Sequence, residues 1–525
     1  MRKKDAQERK RSRKKTPTFL LELPLVVHAG QAARIRGHLE GGRQFYNAVL
    51  SEGQQRLRRM RADPAWQAAH AIPRTQKRER NAAFATLRER YGFSEYAFHE
   101  LARTLRVAWL ADHLDAVLAQ TLATRAYHAL NRVCVGEARR VRFKSRGRGL
   151  SSIENKRNDT GLRFVLQKPE EGNRGFLIWK NDQVEAVIDW EDEVVAHGLE
   201  TCRIKYARLV QRRASSERAA GADARGFRYV VQLALEGVPH QKAKHTVGVE
   251  TIGLDLGPSS IAVVPREQEA DLSVFCEELD PDAKAMRRLQ RKMERQRRAA
   301  NPENYDAQGR IKKRGKRGLR WKSSKGYQKT RQRIATRERK LAAHRKSLHG
   351  RKVHEIVAVG NTIILEKISY KAWQKCYGRS VGLRAPGMFV EHLRRTVAST
   401  GGSLTEVPTR STKLSQWCHG CGKAVKKPLS QRWHHCPCGV GPVQRDLYSA
   451  FLAAYLDPAT LLPSCAQYVI AWEGAEARLR LAHERVQQRA NAGQSVPQSF
   501  GCARAGARRP ESRSEPTQEP AFFLR

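Results

Sequence analysis

The spacing of apolar residues changes twice along the first half of the chain. Between 31 and 138 they recur at helical intervals, as at Val107, Leu110 and Leu114, which is typical of one face of an amphipathic helix. From 139 to 247 the helical period is lost, and β-branched and aromatic residues alternate or cluster instead. The pattern predicts a helical domain over 31–138 followed by a strand-rich module over 139–247.

An earlier apolar run, within residues 17–30, predicts a strand. Glu22 and Pro24 interrupt it, so it lacks the continuous apolar stretch of a signal peptide. We hypothesise that this strand joins the 139–247 module in a small β-barrel, which the helical domain interrupts. Residues 1–16 are basic and polar, and predict a flexible arm.

The second half of the chain alternates strands and helices. Three short strands are predicted, the first carrying Gly253-Leu-Asp255-Leu-Gly257, and a later buried strand ends at Glu366. An amphipathic helix begins at Asp446. This succession is similar to an RNase H-like α/β domain, which we place over 248–415 and 443–496. The fold class is therefore multidomain α+β.

Two segments of this half have unusual composition. Between 284 and 352 there are 27 Lys or Arg and only 4 acidic residues, on stretches of high helical propensity. Paired basic helices of this kind could line a channel for a nucleic-acid duplex. Residues 497–525 are dominated by Gly, Pro, Ser and Arg, and predict a disordered tail.

The charge of the chain indicates its partner. Its 99 Lys plus Arg exceed its 52 Asp plus Glu, which gives a formal net charge of +47. An excess of this size favours a polyanion, and a long nucleic acid is the obvious one. Cysteines without a disulfide-like pattern favour a reducing compartment, and no apolar run is long enough to span a bilayer. We expect a cytoplasmic protein that joins the nucleoid when it binds DNA.

Three acids are candidates for a catalytic metal site: Asp255, Glu366 and Asp446. Each lies at a strand end or a helix start, where carboxylates can converge on two Mg²⁺ or Mn²⁺ ions for phosphodiester chemistry. Gly253 and Gly257 are expected to leave room for a phosphate backbone. Each acid alone is weak evidence. Asp446, for example, lies at a helix start, where Asp is common because it caps the helix. The order of the three acids along the chain is more specific.

A cysteine knuckle over 416–442 lies between the last two acids. Cys418-His-Gly-Cys421 is a standard two-ligand turn for structural zinc. The second half is less regular, because only one residue separates Cys436 from Cys438. We predict a zinc site of these four cysteines, with His435 as the alternative to Cys436.

The motifs together resemble TnpB, a family of transposon-encoded RNA-guided DNA endonucleases related to the type V CRISPR effectors. The resemblance is carried by motifs spread over most of the chain: Arg142-Phe-Lys-Ser-Arg146, Gly253-Leu-Asp255-Leu-Gly257, Ser324-Lys-Gly-Tyr-Gln-Lys329, Ile364-Leu-Glu366-Lys-Ile, Thr409-Arg-Ser-Thr-Lys413, Cys418-His-Gly-Cys421-Gly, and Arg445-Asp446.

The resemblance implies a role for each region. Asp255, Glu366 and Asp446 would be the RuvC catalytic acids, and the knuckle would be a zinc-binding insertion that contacts the target nucleic acid. Over 31–138 the chain would be a recognition domain, and 17–30 with 139–247 a wedge domain. The partners would be a guide RNA and double-stranded target DNA. The side chains assigned to nucleic-acid contact are Arg142, Lys144, Arg146, Lys325, Lys329 and Arg333.

The chain departs from the family pattern at three points. Gln444 replaces the first aspartate of the usual Asp-Arg-Asp, Tyr448 replaces an asparagine, and the second cysteine pair is irregular. Three alternatives therefore stay open: a compact type V effector that uses a CRISPR RNA, a guided DNA-binding protein with weak or no cleavage, and an unguided resolvase or transposase.

Overall fold

The computed structural model describes residues 16–147, 149–214, 221–312, 319–428, 430–457 and 460–502. The predicted arm at 1–16, apart from its last residue, and the predicted tail beyond 502 lie outside them. The chain divides into two compact units, Met1–Lys242 and Ala243–Arg525. The division falls a few residues before the predicted boundary at 247.

The first unit begins with a strand and then turns helical. Strand β1 is Thr18–Pro24. Five helices follow it: α1 (Ala29–Ala62), α2 (Pro64–Ala71), α3 (Lys77–Arg90), α4 (Glu95–Trp109) and α5 (Ala116–Cys134). Pro64 stands at the first position of α2, where its missing N–H costs nothing, and the Asp63 side chain caps the same end.

The rest of the first unit is mostly strand. Its elements are β2 (Ser152–Glu154), β3 (Arg163–Leu166), β4 (Gly175–Trp179), β5 (Asp182–Ala186), α6 (Glu193–Thr201), β6 (Arg203–Arg213) and β7 (Phe227–Glu236). One antiparallel sheet has the order β1-β7-β6-β2, and a second has the order β3-β4-β5. Strand β1 pairs with β7 from Thr18↔Glu236 to Pro24↔Val230, so the strand predicted within 17–30 joins this module, whereas closure into a barrel stays a prediction.

The helices and the sheets of this unit share one hydrophobic core. Buried residues of β1, such as Leu23, cluster with Phe45 of α1, Leu122 of α5 and Leu233 of β7. The helical segment is therefore inserted between β1 and β2 and packs on the sheet. Periodicity could not show this, since it reports which face of a helix is apolar but not what that face meets.

The chain turns between α4 and α5, where the sequence pattern predicts one continuous helical face. Val107 is exposed, whereas Leu110 and Leu114 are buried in the turn region between the helices. The apolar spacing continues across the turn because Leu110 and Leu114 pack against the same core as the helices on either side. The prediction that Val107, Leu110 and Leu114 share one face of a single helix is wrong, because that helix ends at Trp109.

The second unit alternates strands and helices. Its elements are β8 (Thr251–Leu256), β9 (Ser260–Pro265), β10 (Asp271–Val274), α7 (Ala283–Ala299), α8 (Lys325–Val359), β11 (Thr362–Lys367), α9 (Tyr370–Arg384), α10 (Pro386–Ser399), β12 (Ser403–Pro408), α11 (Thr409–Thr412), β13 (Trp433–His434), β14 (Val443–Gln444), α12 (Arg445–Ala454) and α13 (Cys465–Asn491).

A five-stranded sheet forms the centre of this unit, in the order β10-β9-β8-β11-β12. The first three strands are antiparallel neighbours, and β11 is parallel to both β8 and β12. Alternate residues of the central strands supply two cores. Ile252, Leu254 and Leu365 pack with α8 and α10 on one face, while Ala262 and Ile364 pack with α12 and α13 on the other. The mixed α and β architecture is confirmed.

The basic segment forms the two predicted helices, α7 and α8, and buried amides hold described parts of the chain between them in place. Asn301 donates to the carbonyl of Lys322 at 2.9 Å, and Asn304 donates to that of Arg320 at 2.6 Å. Arg297 lies over the Trp321 ring, 4.5 Å from its centroid. The described Lys and Arg residues of the basic segment are therefore held on an ordered scaffold.

The predicted tail begins too early. Gln498–Phe500 form a short 3₁₀ turn, and the Phe500 side chain is fully buried. Its carbonyl lies 3.0 Å from Nε2 of His483 on α13. One aromatic residue anchors a segment whose composition is otherwise polar, so composition alone predicts the wrong boundary. No described helix is long and apolar enough to cross a membrane.

A buried histidine on α8 should make the free energy of unfolding depend on pH. His349 is 2% exposed, and its Nε2 donates to the carbonyl of Arg384 at 2.8 Å. Burial lowers the pKa of His349, with nearby Arg345 and His392 acting in the same direction. A lowered folded-state pKa contributes stability above the unfolded value of about 6.5, and this contribution is lost as pH falls further.

We expect the unfolding free energy to fall below pH 6.5, with His349 contributing at most about 1.4 kcal/mol per pH unit. Chemical denaturation across pH 5–8 checks this. His349→Gln should make the dependence shallower, whereas His344→Gln, a half-exposed histidine on the same helix, should change it less. Equal slopes for the wild type and His349→Gln would contradict the assignment.

Candidate metal and nucleic-acid site

Two of the predicted acids lie side by side because β8 and β11 are parallel and in register. Leu254 is opposite Leu365. Asp255 and Glu366 are the next residues on these strands, so both lie at the same end of the sheet. Strand alternation puts them on the face opposite the leucines, the face that packs against α12.

The third acid reaches this end of the sheet because α12 lies directly on β8. A Cβ at Gly253 would come within 1.8 Å of the Ala450 carbonyl oxygen and 2.5 Å of the Ala454 nitrogen, so only glycine permits the contact. Asp446, in the first turn of α12, is thereby carried to the strand ends. The expectation that Gly253 leaves room for phosphate is wrong, because helix backbone fills that space.

Gly257, the other glycine of the motif, also faces protein. A Cβ there would lie 2.2 Å from Oγ of Ser260. The Gly257 N–H donates to the Ser260 carbonyl at 2.9 Å, which closes the turn between β8 and β9. Gly253 therefore serves packing, whereas Gly257 closes a turn and also lines the cavity described next.

All three acids line one cavity of about 450 Å³. Its wall also includes the cations Lys427 and Arg432 of the knuckle and Arg445 of α12, together with the aromatic residues Trp373 and Tyr377 of α9. The lining thus combines carboxylates, cations and aromatic rings, which are groups that suit a phosphodiester and its bases.

Burial and mutual repulsion make these carboxylates costly to ionise. Burial is the main cause that raises the pKa of Asp255, and the negative charges of Asp446 and Glu366 add to it. Burial also raises the pKa of Glu366. Burial raises the pKa of Asp446, and the positive charges of Arg445 and Arg432 offset part of that rise.

The donor set fits a hard divalent cation, since bound cation charge would relieve this repulsion. Among the described residues the three acids do not form a cluster as tight as the cysteines below, in which all ligand atoms lie within 4.8 Å.

Several side chains that orient the acids were not assigned a role from sequence. Oε1 of Glu366 accepts from the Thr412 hydroxyl at 3.2 Å and from the Leu414 N–H at 3.3 Å. The buried Ser449 hydroxyl interacts with Asp255 and lowers the pKa of that carboxyl. Thr412 belongs to the motif Thr409–Lys413, which was a usable signal, whereas nothing in the sequence marks Ser449.

Gln444 has a structural task. Its Oε1 accepts from the Leu447 N–H at 2.8 Å and caps α12, the role that aspartate commonly plays at this position. Its Nε2 donates to the Ser499 carbonyl at 3.1 Å, and Ser499 lines the cavity. The departure at 444 therefore keeps the helix cap and ties the chain after α13 to the site.

The four predicted cysteines meet in the knuckle. Sγ of Cys418 lies 3.5 Å from that of Cys438, and Sγ of Cys421 lies 3.6 Å from that of Cys436. Tetrahedral zinc with bonds of about 2.3 Å would separate its sulfurs by about 3.8 Å, so the cluster could bind zinc. His435, the alternative ligand, is exposed and outside this group.

Tyr448 connects the knuckle to α12. Its hydroxyl accepts from the His419 N–H at 3.0 Å and lies 2.8 Å from Nδ1 of the same residue. Burial lowers the pKa of His419 to about 4, so the ring is neutral and Nδ1 can accept a hydrogen bond from the Tyr448 hydroxyl. The Tyr448 ring also stacks on His434 at 4.2 Å. Tyr448 is 1% exposed, and it fixes the knuckle beside the acids.

Removing this hydroxyl should weaken the junction. Tyr448→Phe leaves a buried N–H of His419 without its acceptor, at a cost of about 1–3 kcal/mol. We expect a lower unfolding temperature and faster zinc release to a chelator. Tyr377→Phe, in which the residue is 40% exposed, is the matched control. Identical behaviour of the two variants would show that the junction does not depend on Tyr448.

The six side chains assigned to nucleic-acid contact are all exposed. In the segment that carries Arg142, Lys144 and Arg146, the backbone of Lys144 is held by α1. Its N–H donates to Oδ1 of Asn47 at 2.9 Å, and its carbonyl accepts from Nδ2 of Asn47 at 2.8 Å. The other three lie on the first turns of α8. Within the described part of the chain, no ion pair is found for any of the six.

Comparisons with known proteins find similarity in structure and not in sequence. No protein-family model matches the chain, and no curated protein matches it. A solved structure described as the cryo-EM structure of the Cas12f1-sgRNA-target DNA complex is similar at 13% sequence identity and a TM-score of 0.44, over 85% of this chain and 99% of that chain. At that level of similarity, no functional conclusion follows.

Proposed function

We propose that this chain is an RNA-guided, divalent-metal-dependent DNA endonuclease that uses a single RuvC-like carboxylate site, encoded by a transposon as TnpB is. The observation that carries the proposal is the convergence of Asp255, Glu366 and Asp446 in one cavity walled by cations. The sheet order, with β11 parallel to β8 and β12, supports the RNase H-like assignment of 248–415 and 443–496.

The three carboxylates would hold Mg²⁺ or Mn²⁺. Such a cation lowers the pKa of bound water and stabilises the leaving oxygen of a phosphodiester. Asp255 and Glu366 are positioned by parallel strands, and Asp446 by a capped helix, so their placement is rigid. Hydrogen bonds from Thr412 and Leu414 aim Glu366.

The cations of the cavity would bind the substrate. Lys427 and Arg432 come from the knuckle, and Arg445 donates to the Gln431 carbonyl at 3.0 Å, which fixes it against the knuckle. Guanidinium groups bind phosphate oxygens through paired N–H donors. The knuckle, held by one structural Zn²⁺, would therefore form the phosphate-binding wall of the site.

The guided part of the proposal rests on the sequence motifs and on charge. The motifs Arg142–Arg146 and Ser324–Lys329 resemble those of TnpB, and their cations are exposed. Recognition and wedge roles for the first unit follow from the same resemblance. A helical insertion packed on a sheet that contains β1 supports that division.

Purifying the protein from its native host, sequencing the RNA bound to it, and supplying a matching DNA library with Mg²⁺ tests the proposal. We expect a discrete RNA and cleavage of DNA that pairs with it. Absence of a discrete RNA would overturn the guided function, and binding without cleavage would favour a DNA-binding module. An RNA from a repeat array would identify a CRISPR effector instead of a transposon protein.

The cations on the first turns of α8 should contribute to DNA or RNA affinity through phosphate contacts. Replacing Lys329 and Arg333 with glutamine should make the plot of log K against log salt shallower by about one per side chain. Filter binding from 50 to 300 mM salt measures this slope. Lys168→Gln, an exposed lysine of the first unit, controls for net charge, and an equal change per charge in that variant would refute a specific role.

A further inference from the structure

The first unit contains a cavity of about 890 Å³ that the proposed function does not use. The end of α1, the helices α2 and α3, and the turn after α5 enclose it. Its volume lies in the range of sites for small organic ligands, about 300–1,000 Å³.

Aromatic rings form one side of this cavity. Trp66 and His70 of α2 and Phe84 of α3 lie with their ring centroids 5.0–5.1 Å apart in each pair. Trp66 is 8% exposed, while Phe84 is half-buried. Arg80 lies over the Phe84 ring, 5.5 Å from its centroid, so rings and guanidinium planes together form a mixed surface on which a planar ligand can stack.

Three guanidinium groups complete the lining, and neutral acceptors hold each of them. Arg61 donates to the Val133 carbonyl at 2.7 Å, Arg80 to the His70 carbonyl at 2.9 Å, and Arg88 to the side-chain oxygen of Asn131 at 3.0 Å. None of the three forms an ion pair with a described carboxylate, and no described acidic side chain lines the cavity. Their charges are fixed in position and not neutralised, which favours an anionic ligand.

From these features we propose that the cavity binds one unpaired nucleotide of a single-stranded nucleic acid, with the base against the aromatic rings and the phosphate against the arginines. A ligand for this lining must combine a planar ring with negative charge, and a nucleotide has both. The base must be unpaired, because both faces of a base inside a duplex are already covered by its neighbours.

The site does not involve the three acids, so it stands apart from the carboxylate chemistry, whereas the sources named for its nucleotide rest on the proposed guided function. Guide RNA and target DNA are the two possible sources of the nucleotide, and both present a base and a phosphate. Only the 2′-hydroxyl separates them.

Photocrosslinking of the full-length protein tests the site. A trinucleotide with a central 4-thiouridine, and a DNA counterpart with 4-thiothymidine, are irradiated with the protein in the absence of divalent metal. Mass spectrometry then maps the attached peptides. We expect crosslinks within α2 and α3. A higher yield with RNA assigns the site to the guide, a higher yield with DNA assigns it to the target, and equal yields mean that it contacts only base and phosphate.

Three variants make the result decisive. Phe84→Leu keeps apolar volume but removes stacking, and should lower the yield roughly tenfold. Arg88→Gln should lower it by a similar factor. Arg59→Gln removes the same charge from an exposed position of α1 that does not line the cavity, and should change the yield less than about twofold. Circular dichroism confirms that each variant folds.

Crosslinks that map only outside α2 and α3, or an equal loss in Arg88→Gln and Arg59→Gln, would overturn the proposal. Since the assay measures neither cleavage nor metal binding, that outcome would leave the carboxylate site unaffected. Conversely, a protein that fails to cut DNA would still show these crosslinks.

Discussion

Replacing Asp255 with asparagine is expected to abolish DNA cleavage while RNA binding is retained. Asp255 shares the cavity with Glu366 and Asp446, and loss of one carboxylate removes a ligand that positions the divalent cation. We expect the cleavage rate to fall at least about 10³-fold, or about 4 kcal/mol of transition-state stabilisation. Single-turnover cleavage of a matched target, with parallel RNA-binding titrations, measures both properties.

Glu267→Gln is the matched control for Asp255→Asn. Glu267 is exposed after β9 and does not line the cavity, so this variant should cut DNA at the wild-type rate. Undiminished cleavage by Asp255→Asn would place the metal site elsewhere in the chain.

The same substitution should stabilise the protein when divalent metal is chelated. Burial and the neighbouring acids raise the pKa of Asp255. A carboxyl whose folded-state pKa is raised costs stability once the pH exceeds its unfolded value of about 3.9, so at neutral pH the charge is a net cost. Thermal denaturation in a chelator should give a higher unfolding temperature for Asp255→Asn than for the wild type. A lower temperature would indicate that Asp255 serves packing instead of metal binding.

Cys421→Ser is expected to remove zinc from the knuckle and to loosen the phosphate-binding wall. Structural zinc sites contribute on the order of 10 kcal/mol to the folding of small metal-bound modules. Loss of one of four thiolates should therefore unfold the knuckle locally, while the five-stranded sheet keeps its own core. Metal analysis should find about one zinc per chain in the wild type and almost none in the variant, and limited proteolysis should cut within 416–442.

Two controls sharpen the zinc experiment. Cys376 is an exposed cysteine outside the cluster, so Cys376→Ser should keep its zinc. His435→Ala should also keep it, because the cluster contains Cys436 instead. Loss of zinc from His435→Ala with retention in Cys436→Ser would reverse the ligand assignment.

Local patterns were sufficient for most elements of the second unit. The strands that carry Asp255 and Glu366, and the helix that begins near Asp446, all form where apolar periodicity predicts them. The turn Cys418–Cys421 likewise follows from spacing. These features depend on neighbours in the chain, where propensity and periodicity act directly.

Long-range packing decided what the sequence left open or misplaced. Cys436 joins the cluster and His435 does not, and the turn that places Cys436 is closed by its N–H donating to the Val440 carbonyl. Phe500 is buried against α13 although its segment is polar. The chain reverses between α4 and α5 although the apolar spacing continues. Each depends on a partner distant in sequence.

The sequence by itself predicted a polyanionic partner, identified three acids and four cysteines as candidate ligands, and located the strands and helices that carry them. Only the tertiary structure decided that the acids share a cavity, because that requires the register of β8 with β11 and the contact of α12 with Gly253. It also assembled Trp66, Phe84 and three arginines around a second cavity, from helices that no local pattern relates. Periodicity specifies which face of an element is buried, whereas the partner of that face is set by packing of the whole chain.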